Sequence, residues 1–104
     1  MPRTYSDELI RSLYANEGKH LGADLGKLCV ECNLPAAFVG RSLNVSRMTI
    51  HAWFRGTSKI RAKNAKMIDA FISLLRKDKE AGLLPVASQR AAREYLSNMV
   101  DKPI

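Results

Sequence analysis

The sequence predicts an all-α protein, a bundle of five or six helices with a helix-turn-helix inside it. Apolar residues recur at three- and four-residue spacing along nearly the whole chain. No run alternates with the period of two that marks a half-buried strand. Capping and turn residues cut the pattern into helix-length pieces.

The first piece opens at Ser6, a good N-cap, with Asp7 and Glu8 favourably placed in the first turn. Its apolar face is Leu9, Ile10, Leu13 and Tyr14, and Gly18 is a natural stop. A second helix spans roughly 23–32, with Leu25, Leu28, Cys29 and Cys32 at helical spacing. Pro35 suits the first position of a third helix, where its missing N–H would have no partner anyway. That helix ends near Leu43. Asn44 then tolerates a left-handed turn, Ser46 caps a fourth helix, and Gly56 ends it. A long fifth helix runs from about 61 to 81, burying Ala65, Ile68, Ile72 and Leu75, with Gly82 after it. Pro85 introduces a last amphipathic helix over 87–100, whose apolar side is Ala92, Tyr95, Leu96 and Met99. That side either completes the chain's own core or meets a second copy, so 83–104 is a candidate dimerisation segment.

At 104 residues the chain is the size of one domain with one modest core. No apolar stretch approaches the ~18 residues of a membrane-spanning helix, and no apolar run resembling a secretory signal follows Met1. The expected location is the cytoplasm, at the nucleoid, and no membrane partner is expected. The net charge of +7 is unevenly placed. Residues 33–79 hold ten basic and two acidic side chains, whereas 1–32 hold four and five, and 80–104 three and three. A basic field this local attracts polyanions by releasing their condensed counterions.

Within 36–55, Val39, Leu43, Val45, Ile50 and Trp53 are spaced so that two short helices pack on each other and on the rest of the bundle. Gly40 is small where those helices would cross. The outward positions of the second helix are Arg47, Met48, His51, Ala52 and Arg55, followed by Lys59, Arg61, Lys63 and Lys66. Such a helix fits a major groove about 12 Å wide, reading base edges while basic neighbours hold phosphates.

The stretch Val39-Gly40-Arg41-Ser42-Leu43-Asn44-Val45-Ser46-Arg47-Met48-Thr49-Ile50-His51-Ala52-Trp53-Phe54-Arg55-Gly56 resembles the helix-turn-helix of lambda-repressor-like (Cro-type) DNA-binding proteins. Gly40, Val45-Ser46, Thr49-Ile50, Trp53 and Arg55-Gly56 match that family's spaced positions. Asn44 stands where the family usually has Gly. Phe54 stands where it commonly has Glu, which places an apolar ring near the DNA-facing edge. The resemblance implies that Arg47, Met48, His51 and Ala52 contact bases from a recognition helix over about 46–55. It implies that Ser46, Thr49 and Arg55 lie nearer the backbone. Lys59, Arg61, Lys63 and Lys66, beside the motif, are expected to contact phosphates, and Trp53 to sit in the core.

Cys29 and Cys32 form a Cys-x-x-Cys. A zinc site needs two further ligands, and a redox pair would want a strand-to-helix junction. On a helical apolar stripe, cysteine reads as a small buried hydrophobe. No phosphate-cradling loop, metalloprotease motif or nucleophile motif is present. The expectation is a sequence-specific regulator of repressor type rather than an enzyme, with double-stranded DNA as partner, no metal and no cofactor, of a bacterial, phage or plasmid kind. It is expected to pair as a homodimer on two half-sites. The rival is a helix-turn-helix that binds a protein of the transcription machinery, favoured if Phe54 and Met48 are exposed. RNA is disfavoured because A-form grooves resist helix insertion.

Overall fold

The structure, a computed structural model, describes residues 5–16 and 18–104 and has six helices and no strand among them. They are α1 (Asp7–Ala15), α2 (Leu21–Glu31), α3 (Ala36–Leu43), α4 (Arg47–Arg55), α5 (Ala62–Glu80) and α6 (Gln89–Val100). Helix α2 is the hub. It packs against α1, α4 and α5, while α3 packs against α4 on one side and α6 on the other.

Local chemistry sets most of the boundaries. Ser6 caps α1 by accepting the Leu9 N–H at 3.2 Å. The helix stops at Asn16 rather than at Gly18, because the Asn16 amide side chain and its backbone N–H both turn back onto the Ser12 carbonyl. Tyr14, expected on the inward stripe, is 45% exposed and donates to Glu31 instead. Helix α2 begins two residues before the expected start, because His20 acts as its cap. The His20 Nδ1 accepts the Ala23 N–H at 3.0 Å. Pro35 is the N-cap of α3, one position earlier than expected, with the extended ψ of 140° that a cap adopts. Asn44 takes the left-handed conformation at φ 60° and closes the turn between α3 and α4.

Two glycines let helices approach closely. A Cβ on Gly22 would lie 1.8 Å from the Trp53 carbonyl oxygen, so the start of α2 touches the backbone of α4 directly. A Cβ on Gly40 would lie 2.8 Å from the Val45 oxygen and 3.3 Å from Ile50, the tight crossing expected of the two motif helices.

Helix α5 contributes Ile68, Phe71, Ile72 and Leu75 to the core, with Ala65 only half-buried. Helix α6 starts at Gln89 rather than 87, because the Ser88 hydroxyl accepts the Ala91 N–H at 3.0 Å. Its apolar side folds back inside the chain. Ala92 and Leu96 are fully buried, and Tyr95 and Met99 pack on the same core. The loop before it is tied down by Val86 N–H to the Cys32 carbonyl at 3.2 Å and by the Asn33 amide to the Val86 carbonyl at 2.9 Å. The face that could have met a second copy is therefore spent on α3 and the core.

Cys29 and Cys32 are both fully buried with free thiols. Burial pushes both thiols above their ordinary value, Cys32 to about 11 and Cys29 further. Burial also raises the Tyr5 phenol, which donates to the Leu34 carbonyl. A group whose folded pKa is raised adds stability below its unfolded pKa, and that stability is lost as pH rises through the folded value. For the thiols the window opens near 9.0, the ordinary value. Urea midpoints are thus expected to fall between pH 9 and 11, and iodoacetamide at pH 8 to modify the cysteines only as fast as the fold opens. Rapid alkylation of native protein would show that the thiols are accessible.

Candidate nucleic-acid interface

Helix α4 is nine residues long, about 13 Å at 1.5 Å per residue, and is held from both ends and from beneath. Ser46 caps it by accepting the Thr49 N–H at 3.1 Å, and the two hydroxyls lie 2.9 Å apart. Gly56 closes it at φ 75°. Ile50, Trp53 and Phe54 are buried at 0%, 3% and 1% exposure. The residues left outward are the ones the sequence singles out. Arg47, Met48 and Arg55 are exposed, Met48 at 82%, and His51 and Ala52 are half-buried. Together with Thr57 they line one shallow depression along the outer side of the helix. Thr57 was missed from sequence, and its place one residue beyond the closing glycine is the signal that could have found it.

Phe54 corrects an expectation. Its ring does not reach the outer edge. It lies inside, 6.1 Å from the Tyr5 ring and 5.9 Å edge-on from the His51 ring, over the bare backbone of Gly26. The reason is spacing: Phe54 is four residues after Ile50, on the same inward stripe.

The remaining cations do not enter the depression. Lys59 and Arg61 are exposed in the connection to α5, and Lys63 and Lys66 are exposed one turn apart at the start of α5. No ion pair among the described residues engages Arg47, Arg55, Lys59, Arg61, Lys63 or Lys66. Arg61 is the N-cap of α5 and supplies no side-chain cap bond. The free N–H groups of that first turn thus add a partial positive charge beside the lysines. Ser46 and Thr49, expected near the backbone, stand at the entrance of α4 with their hydroxyls engaged in the cap.

The His51 imidazole is held below its ordinary pKa by burial and by the charges of Arg47 and Arg55, one turn to either side. Both effects favour its uncharged form. Its Nδ1 is buried without a hydrogen-bond partner.

Among the described residues no helix is long and apolar enough to cross a membrane. Comparison with protein-family models, with curated proteins and with solved structures returns no match for this chain.

Proposed function

We propose that this chain is a sequence-specific double-stranded DNA-binding transcriptional regulator of the repressor type, working at the nucleoid and placing α4 in the major groove. The observation that carries the reading is the division of α4. One side is locked into the core by Ile50, Trp53 and Phe54, and the other offers Arg47, Met48, His51, Ala52 and Arg55. Among the described residues, the cations that follow have no carboxylate partner to release before meeting phosphate. The likeness of 39–56 to Cro-type helix-turn-helices points the same way.

The rival reading, a protein of the transcription machinery as partner, rested on exposure of Phe54 and Met48. With Phe54 buried, only Met48 favours it. One helix of this length reads few base pairs, so the proposal includes two copies on half-sites one helical turn apart, about 34–36 Å. Because the apolar side of α6 is used internally, any contact between those copies uses another surface.

Selection from random duplex DNA at physiological salt tests the proposal. It is expected to enrich one motif, bound at least about a thousandfold more tightly than random sequence. Recovery without enrichment would refute it. The charge component has its own readout. Replacing Lys59, Lys63 and Lys66 together with Ala is expected to reduce the slope of log K against log salt by about 0.9 per lysine. An unchanged slope would remove this patch from the interface.

A further inference from the structure

Resting on the reading of α4 as the groove helix, we infer that the side chains α4 itself turns outward offer hydrogen-bond donors and apolar groups but no effective acceptor, the Thr57 hydroxyl of the same depression lying beyond the end of the helix, where it donates to the Ala52 carbonyl at 3.4 Å. The bases it reads directly are then guanine, through N7 and O6, and thymine, through its methyl group. Two stripes make up the face. Arg47, His51 and Arg55 stand four residues apart, and Met48 and Ala52 form a second stripe beside them. A guanidinium carries five donors and no acceptor, and a thioether is a weak acceptor only. The Thr49 hydroxyl, half-buried, is engaged with Ser46.

His51 decides the matter, because a neutral imidazole carries one donor and one acceptor. Its Nδ1 is buried with no partner, so a proton there would be a buried N–H with nothing to accept it. Nε2 is the nitrogen left on the accessible side, where water or a base can accept its proton. Burial, and then the positive charges of Arg47 and Arg55, oppose the doubly protonated ring. The ring is therefore the Nε2–H tautomer, a single donor between two guanidinium groups. Major-groove acceptors are offered by guanine N7 and O6, adenine N7 and thymine O4, whereas the amino groups of cytosine and adenine need an acceptor from the protein. A donor-only stripe fits guanine best, since two acceptors lie side by side on its edge, and an apolar stripe fits the thymine methyl.

Two measurements on the full chain test this. Long-range proton–nitrogen NMR at pH 7.5 is expected to show His51 protonated on Nε2, and protonation on Nδ1 would overturn the inference. On the selected duplex, 7-deazaguanine at a contacted guanine is expected to weaken binding about tenfold, and uracil for thymine about threefold. Loss of the adenine or cytosine amino group is expected to leave affinity unchanged. The converse pattern would overturn the inference while leaving the DNA reading intact. Absence of any preferred duplex would instead sink the DNA reading and this inference with it. His51→Gln adds an acceptor, and selection with that variant is expected to admit adenine at one position of each half-site. Unaltered selection would count against His51 as a base reader.

Discussion

Truncation after Gly82 is expected to abolish cooperative folding. Residues 83–104 place Leu84, Val86, Ala92 and Leu96 in the core at 9% exposure or less. Each large aliphatic side chain buried in this way contributes about 1.5–3 kcal/mol. Three of them together approach the whole stability of a small domain, about 5–15 kcal/mol. The loss is compounded at the end of α2, where the Cys32 carbonyl and the Asn33 amide both bond to Val86. Helix α3 would also lose the helix packed on its far side, and with it the support beneath the motif. Urea titration followed by circular dichroism is the check. A broad, non-cooperative transition is expected. A shortened chain that unfolds cooperatively and has merely lost self-association would make α6 a dimerisation element instead.

Phe54→Ala is expected to cost about 3–5 kcal/mol, the usual result of truncating a buried aromatic ring. The ring is 1% exposed and sits where α1, α2 and α4 meet. Its neighbours are Tyr5, His51 and the Gly26 backbone, and none of them can move in to fill the space cheaply. Met48 is the control, being 82% exposed on the same helix. Met48→Ala is expected to change stability by less than about 0.5 kcal/mol while altering the selected sequence. The contrast separates a core residue from a reading residue within one helix. A Phe54→Ala variant as stable as the parent would return the ring to the surface, and with it the protein-partner reading.

The helix count and the motif were legible in the sequence because they depend on signals that short stretches carry. Ser6, Ser46 and Gly56 are ordinary caps, and Asn44 is one of the few side chains that enter the left-handed turn readily. The boundaries that slipped depend on less usual chemistry. His20 caps through a ring nitrogen, and Pro35 caps by its backbone conformation alone. Tyr14 follows the helical period of its neighbours, but the carboxylate of Glu31 holds it at the surface. The outer residues of α4 were legible by periodicity, whereas the burial of Phe54 was obscured by the comparison with a family position that is commonly polar. Two features lie beyond any local pattern. The contact of Gly22 with the Trp53 backbone joins segments thirty-one residues apart, and the stranded Nδ1 of His51 depends on how α4 seats on the core.

The most direct test that α4 reads base pairs is the affinity of Arg47→Ala for the selected duplex, set against its affinity for random duplex at the same salt. An arginine at the N-terminal end of a groove helix donates to guanine in the commonest base-specific contact. Its loss is expected to cost about 1–3 kcal/mol on the selected site and little on random DNA. Equal losses on both would mean that Arg47 meets only phosphate, and would contradict the placement of α4 in the groove as a reading helix.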